Sequence, residues 1–264
     1  MPVKLVVVLT TIVSLLILEH KFPFFPFQNS FRARITNNFE LGVVNAIASS
    51  IWTIAISGYV VLDRSPHGII AALPSPVIAG ILAFLILDIY MYFWHRMMHR
   101  LPLAWRFHRV HHTDRSMNVS TAYRFHAIEI ISSSIPKLAL IWWLGIAGNF
   151  VLIYELVFTV IVGLHHSNLR IPASIDRFLA YVILTPNYHR IHHSQIVTET
   201  NSNYSSVFIW WDRLFGTYHS RPDIDNIQLG VSDEVRELNI WQSIVLPISP
   251  VKDELFPQVR YASR

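Results

Sequence analysis

Five apolar stretches alternate with polar segments along the chain. They cover residues 5–18, 41–62, 77–94, 127–146 and 149–164. At about 1.5 Å per helical residue, the stretch at 41–62 is long enough to cross a bilayer core of about 30 Å. Pro74 and Pro76 precede the next stretch, so its regular helix is predicted to start near Val77. The pattern predicts an all-α polytopic membrane protein with about four spans.

The first apolar stretch is short for a membrane span and resembles the core of a signal peptide. Lys4 precedes it, and Glu19, His20 and Lys21 follow it without a small-residue cleavage site. We therefore predict that residues 5–18 form an uncleaved anchor or a short fifth span.

The last two apolar stretches are predicted to form a helical hairpin that turns at residues 145–148, which include two glycines. Lys137 and Glu155 lie about ten residues from the outer ends of this hairpin, at matching depth. Charged groups inside a membrane are costly unless they are paired. The sequence therefore predicts an ion pair between Lys137 and Glu155.

Composition limits the class of protein. The chain is 52% apolar and 14% charged, whereas soluble proteins carry about 25% charged residues. It has no cysteine, which excludes disulfides, thiolate metal sites and iron–sulfur clusters within it. The net charge of +4 does not indicate nucleic-acid binding, because many cations flank apolar stretches, as the positive-inside bias requires. These flanking cations are Lys21, Arg32, Arg34, Arg96, Arg100, Arg106 and Arg109.

Eight of the fourteen histidines fall into three clusters. They are His95 and His99 in H-x3-H, His108, His111 and His112 in H-x2-H-H, and His189, His192 and His193 in a second H-x2-H-H. Neutral imidazole binds transition metals near pH 7, and side chains three or four residues apart share a helix face. Three clusters supply more ligands than one ion uses, so they predict a polynuclear metal site. With the loop at 21–40 in the cytoplasm, counting spans places every cluster in a cytoplasmic cap.

Residue type alone leaves zinc, copper, iron and nickel open. The H-E-x-x-H motif of zinc proteases is absent, as is the E-x-x-H motif of ferritin-like di-iron proteins. Asp88 and Tyr92 share the helix face of His95. They are candidates to accept a hydrogen bond from a ligand histidine or to line a substrate channel.

In this order, the three clusters resemble those of the fatty acid hydroxylase/sterol desaturase superfamily of integral membrane di-iron oxygenases. The resemblance covers residues 86–218, which would be the catalytic region of one membrane domain over 1–264. It extends to Asp88 and Tyr92, Arg124-Phe-His126-x-x-Glu129, His166-Ser-Asn168, Thr185-Pro186-x-x-His189 and the segment from Trp211 to Tyr218.

The resemblance implies two non-haem irons held by the eight clustered histidines and a ninth from the segment after Gly163. Of the two candidates there, His166 fits the family's His-x-Asn spacing better than His165. It also implies that further ligands, or residues that hydrogen-bond to the ligands, come from His126, Asp88, Tyr92, Glu129 and Asn168. The implied activity is O2-dependent hydroxylation or desaturation of a fatty acyl, sterol or isoprenoid lipid. Electrons would come from an external reductase.

The chain departs from the family pattern in one segment. Asn201-Ser-Asn203-Tyr204-Ser205 stands where Asp-x-Asn-Tyr-Gly is usual, and we expect the change to alter a loop near the metals. Two other classes stay open at this stage: a metal transporter or sensor, and a non-catalytic membrane protein with a structural metal. A transporter would place metal-binding residues across the membrane interior, whereas these histidines are predicted on one face.

Overall fold

The computed structural model describes residues 2–27, 31–62, 67–232, 234 and 236–251, with the side chains of residues 2, 31 and 51–62 excepted. This part of the chain is helical and contains no strand, only three isolated bridges. The helices are α1 Pro2–Lys21, α2 Phe31–Leu62, α3 Pro76–Arg100, α4 Pro102–His112, α5 Ala127–Leu144, α6 Gly148–His166, α7 Ala173–Leu179, α8 Pro186–His192, α9 Val197–Thr200, α10 Trp210–Leu214 and α11 Ile240–Val245. Short 3₁₀ turns lie at Val119–Tyr123, Ile224–Asn226 and Leu246–Ile248. The predicted all-α fold is confirmed.

Four helices of the described chain are long and apolar enough to cross a membrane: α1, α3, α5 and α6. The first apolar stretch is therefore part of a spanning-length helix. The predicted span at 41–62 lies in α2, but side chains 51–62 are outside the described residues, so that span stays a prediction. Ser75 caps α3 and Pro76 occupies its first turn, close to the predicted start at Val77.

The helices α5 and α6 form the predicted hairpin. Gly145 ends α5 with a left-handed φ of 68°, and a Cβ there would lie 2.4 Å from the carbonyl oxygen of His67. Only glycine fits this turn without displacing the backbone. Deeper in the hairpin, Lys137 Nζ lies 2.9 Å from Glu155 Oε1, which confirms the predicted pair. Lys4 of α1 also donates to Glu155, at 2.8 Å, and was not predicted.

Two of the spanning-length helices, α1 and α3, pack against α6. Gly163 of α6 brings α1 close, since a Cβ there would lie 3.0 Å from Thr11 Cγ2. On another side, α3 packs against α6 through a buried core that includes Ala83, Leu87 and Tyr154. This packing places the ends of α3 and α6 that carry His95, His99 and His166 side by side.

The cap consists of the short helices after α3. Pro102 opens α4 directly after α3 ends, and Pro186 opens α8 directly after Thr185. Arg109 of α4 donates to the carbonyl groups of Leu246, Ser249 and Pro250. The apolar segment at 238–246 thereby docks on the cap and buries Leu238 and Leu246.

Candidate metal centre

Nine histidine side chains converge where α3, α4, α6 and α8 meet. They form two groups, and within each group the candidate ligand atoms all lie within 4.8 Å of one another. The five-histidine group contains His95, His99, His108, His112 and His192. The four-histidine group contains His111, His166, His189 and His193. These nine are the nine predicted ligands.

The helical spacing of each H-x2-H-H cluster divides its members between the groups. On α4, His108 and His112 are four residues apart and point into the five-histidine group, while His111 points into the other. On α8 the division is reversed: His189 and His193 enter the four-histidine group and His192 enters the five-histidine group. The two groups therefore adjoin, and the rings of His112 and His193 stack with centroids 4.3 Å apart.

Five of the nine imidazoles have an acceptor fixed at Nδ1, at 2.7–3.3 Å. The acceptors are the Tyr204 carbonyl for His95, the Glu129 carboxylate for His108, the Arg124 carbonyl for His111, the Val162 carbonyl for His166 and the Ser202 carbonyl for His192. Because a carbonyl oxygen only accepts, Nδ1 carries the proton in a neutral ring and Nε2 presents a lone pair. This is how metal-bound histidines are usually oriented.

The geometry of the Nε2 atoms fits a shared cation. His111 Nε2 and His166 Nε2 are 3.0 Å apart. Because Nδ1 of each ring donates to a carbonyl, each of these Nε2 atoms presents a lone pair to the other. His166 and His189 are also 3.0 Å apart at Nε2, and His108 and His112 are 3.2 Å apart. Two nitrogens bound at about 2.1 Å to one ion lie about 3.0–3.4 Å apart. Two lone pairs at this separation repel unless a cation lies between them.

Burial keeps these side chains neutral. Removal from water, together with the neighbouring imidazoles, lowers the pKa of His111, His112, His189, His192 and His193 well below the ordinary value of 6.5. The Nε2 atoms of His95, His99 and His192 are buried and have no hydrogen-bond partner within the described chain. Neutral imidazole is the form that binds a metal, so the donor set suits a nitrogen-binding transition metal.

A cavity of about 70 Å³ lies against both groups. His95 and His108 line it from one group, and His111, His166 and His189 line it from the other. The remaining wall is largely apolar and consists of Met91, Trp94, Phe125, Phe158 and Val162, with His165, Glu129, Ser205 and Ser206. The cavity could therefore hold an apolar group directly beside the candidate metal positions.

Of the five additional predicted residues, Glu129 is the one with a described contact to a clustered histidine. Asp88 was expected to contact a ligand or to line a channel, but its carboxylate accepts from the backbone of Val207 and Phe208 and from the indole of Trp211. It is buried, and its described hydrogen bonds go to none of the clustered histidines. Tyr92 shares a hydrogen bond with Thr217 at 2.9 Å and does not line the cavity.

The other two candidates also have structural partners. His126 caps α5, because its Nδ1 accepts from the amide of Ile128, and its Nε2 faces the carbonyl of Ile244. Asn168 bonds to the backbone of Phe25 through its amide side chain. His165 lines the cavity, and its ring lies 4.1 Å from that of His189. It belongs to neither group, whereas His166 does.

Residues 201–205, which depart from the usual Asp-x-Asn-Tyr-Gly pattern, form a loop that Asp212 holds in place. Asn203 adopts a left-handed φ of 51°, and the amides of Tyr204 and Ser205 donate to the Asp212 carboxylate at 2.8 and 2.9 Å. The Tyr204 carbonyl in turn faces His95 Nδ1. Asp212 thus orients the candidate ligand His95 through the loop that precedes it.

A second buried network was missed by the sequence analysis. Asp114 accepts from Arg34 at 3.0 Å, from Asn38 and from Thr121. Burial opposes ionisation of Asp114, but Arg34 and Arg124 outweigh it and hold its pKa below the ordinary value. Arg124 also donates to the Val110 carbonyl, one residue before His111. The position of Asp114, two residues after His112, was the available signal, but its partners on α2 are about 80 residues away.

Comparison with known proteins gives a family match. The model of the fatty acid hydroxylase family matches residues 80–217. This range contains all nine histidines and both ends of the loop held by Asp212. No solved structure matches the chain.

Three curated relatives illustrate the match. An alkylglycerol monooxygenase from Danio rerio is 30% identical over 61% of this chain and 34% of its own length. An ornithine lipid hydroxylase, OlsE, from Rhizobium tropici is 30% identical over 59% of this chain and 46% of its own. A fatty acid hydroxylase, vlmA, from Lecanicillium sp. is 31% identical over 59% of this chain and 46% of its own length. The matches thus span between a third and a half of the length of these relatives.

Proposed function

The chain belongs to the fatty acid hydroxylase family, and from that premise we propose that it is an O2-dependent, di-iron membrane oxidoreductase that hydroxylates or desaturates a lipid. The observation that carries the proposal is the convergence of nine buried histidines on a small cavity whose other wall is apolar. The relatives that are named as hydroxylases and monooxygenases act on alkylglycerol, ornithine lipid and fatty acid. Their names support lipid oxidation as the reaction class.

We assign one iron to each histidine group, with the nine histidines as ligands. When bound, the two irons supply the electrons needed to turn O2 into an oxidant that attacks an unreactive C–H bond. The Nδ1 contacts of five ligands hold their rings in one tautomer and one orientation, which is the protein's main contribution at such a site. Glu129 makes His108 a stronger donor through its charge.

The cavity orients the substrate. Met91, Trp94 and Phe158 come from helices of spanning length, so an alkyl chain can reach the histidines from the bilayer without crossing water. Their apolar side chains also exclude water from the reacting carbon. The catalytic region would be residues 86–218 within one membrane domain at 1–264.

Electrons come from outside the chain in this proposal. The chain has no cysteine and so holds no iron–sulfur cluster of its own. A reductase or electron-transfer protein would dock on the exposed side of the cap. The excess of Lys and Arg beside the apolar stretches supports a cytoplasmic position for that cap.

The test joins metal analysis with lipid analysis. Protein purified without chelators is expected to carry two irons per chain, and cells expressing it under oxygen are expected to gain an oxidised lipid by mass spectrometry. His111→Ala and His192→Ala, one from each group, should each lower the metal content and abolish the product. Retained product in either variant would overturn the proposal. Metal loading without any change in the lipids would instead favour a metal transporter or sensor, or a structural-metal protein.

A further inference from the structure

An apolar groove lies below the histidine cavity. It has a volume of about 520 Å³ and is lined almost entirely by apolar side chains. Val77, Gly80 and Phe84 of α3 form one side and Phe150 and Ile153 of α6 form another. The third side comes from Phe208 and Trp210, which follow the cavity-lining pair Ser205 and Ser206 in the chain. One continuous segment therefore forms part of both walls.

Phe208 and Trp210 belong to a small unit that we call the apolar lobe, formed by residues 177–184 and 207–214. Its two strips bond to each other through backbone groups: Leu184 N to Val207 O at 3.0 Å and Ile209 N to Val182 O at 3.2 Å. Two further backbone carbonyl groups accept hydrogen bonds from side chains. Trp210 Nε1 donates to Tyr181 O, and Arg213 donates to Ala180 O. Irregular backbone at membrane depth needs partners for its polar groups within the protein, and these four bonds supply them for the groups they join.

The lobe lies beside the middle of α3 rather than above it. The Phe208 ring is 5.5 Å from that of Phe84, and Trp210 stacks on Phe208 at 4.3 Å. Phe84 precedes His95 by eleven positions, which is about 16 Å along the helix axis. Asp88 of α3 anchors the lobe at this depth through the amides of Val207 and Phe208 and the indole of Trp211.

The outer face of the lobe exposes large apolar side chains beside two arginines, Arg177 and Arg213, whose long side chains can reach the membrane surface. Phe178 is 72% exposed, and Tyr181 and Leu214 are each 68% exposed. Large exposed apolar patches indicate a partner or a membrane. This patch continues directly into the open faces of α3 and α6, where Ile81 and Ile153 are also exposed. Since those helices are of spanning length, the surface that continues from them faces lipid.

We propose that the apolar lobe is immersed in the bilayer and that, with α3 and α6, it holds one hydrocarbon chain of the lipid substrate in the groove. The groove then guides that chain along α3 toward the histidine cavity. This proposal rests on the proposed lipid oxidation for its substrate, while the immersion of the lobe is independent of any activity. Asp88 is a positioning residue for the lobe.

The immersion is tested by spin labelling in phosphatidylcholine vesicles. The chain has no native cysteine, so Phe178→Cys and Leu214→Cys each accept one nitroxide label. Both labels are expected to collide readily with O2 and poorly with a water-soluble nickel chelate, as does a label at the bilayer-facing reference Ile135→Cys on α5. The charged surface position Asp225→Cys, whose side chain is 63% exposed, should show the opposite preference. Labels at 178 and 214 that behave like the one at 225, or that reach neither reagent because a protein covers them, would overturn the proposal.

The groove is tested by filling it. A Cβ at Gly80 would already lie 3.1 Å from Phe150 Cε1, so Gly80→Phe directs a ring into the groove. We expect turnover of a long-chain lipid to fall at least tenfold with an unchanged metal content. Ile78→Phe, on the same helix but outside the groove lining, should keep wild-type turnover. Wild-type turnover in Gly80→Phe would overturn the groove. Absence of turnover in the wild-type protein would instead contradict the proposed function, and the nitroxide result would still decide the lobe.

Discussion

The two histidine groups are built from the same side chain but differ in their support. The five-histidine group contains an i, i+4 pair from α3 and another from α4, and His108 within it bonds to the carboxylate of Glu129. The four-histidine group takes one histidine from α4, one from α6 and the i, i+4 pair His189 and His193 from α8 and its C-cap. Its described Nδ1 acceptors are the carbonyls of Arg124 and Val162. One group thus has more donors and a charged partner.

This difference indicates unequal metal positions. A carboxylate behind a ligand histidine raises its basicity, and a fifth nitrogen leaves fewer positions for other ligands. Metal sites that act on a substrate keep a position open. We therefore expect the five-histidine group to bind its metal more tightly and the four-histidine group to exchange metal and accept small ligands more readily.

The largest effect is expected from removing one ligand from each group at once. His99→Ala with His193→Ala should leave no tightly bound metal and should lower lipid turnover to the background level. Each single variant should lose the metal of its own group, because the groups share no histidine. Metal-to-protein ratios by mass spectrometry measure this. Loss of both metals in either single variant would show that the groups are one indivisible site.

A smaller effect is expected at Glu129. Glu129→Gln removes the charge behind His108 and should weaken metal affinity in the five-histidine group by about 10- to 100-fold. Competition with a chelator measures the change, and the four-histidine group should keep its affinity. Glu199→Gln, which changes a buried carboxylate paired with Arg221 and not with a histidine, is the matched control. Equal weakening of both groups would contradict the assigned asymmetry.

Acid should destabilise the metal-free protein. The pKa values of His111, His112, His189, His192 and His193 are lowered by burial, so below pH 6.5 the unfolded chain binds more protons than the folded one. Stability therefore falls as the pH drops from about 7 through 6.5 and continues to fall toward the lowered folded values.

Thermal unfolding of the metal-free protein at pH 7.5 and pH 5.5 measures this change, with a lower Tm expected at pH 5.5. A double variant with His111 and His193 replaced by Asn should show a smaller shift. A metal-free protein whose Tm is the same at both pH values would contradict the buried neutral state of these side chains.

The smallest effect on stability is expected away from both histidine groups, where Lys4 and Lys137 both pair with Glu155. Lys137→Met should destabilise the fold by about 1 kcal/mol, in the range of polar contacts between membrane helices. The loss is limited because Lys4 still pairs with Glu155. A double-mutant cycle with Glu155→Leu measures the coupling, and metal content should stay at the wild-type level. A change in metal content would show that the hairpin supports the histidine groups directly.

Much of this architecture follows from local pattern. Apolar stretches of spanning length, the start of α3 near Val77 and the glycines at the α5–α6 turn each depend on neighbours in the chain, so the sequence predicts them. The Lys137–Glu155 pair follows from equal depth within one hairpin. Lys4 was missed because its partner is 151 positions away and its approach depends on how α1 packs against α6.

The sequence by itself determined that the protein is helical, membrane-embedded and rich in candidate metal ligands. The tertiary structure alone decided which histidine joins which group, because the rotation of α4 and α8 about their axes sends the middle member of each H-x2-H-H cluster away from its neighbours. It also decided that Glu129 supports His108 while Asp88 anchors a lobe. Backbone carbonyls orient four of the candidate ligands. Every residue carries such a carbonyl, so only the folded chain shows which of them face a histidine.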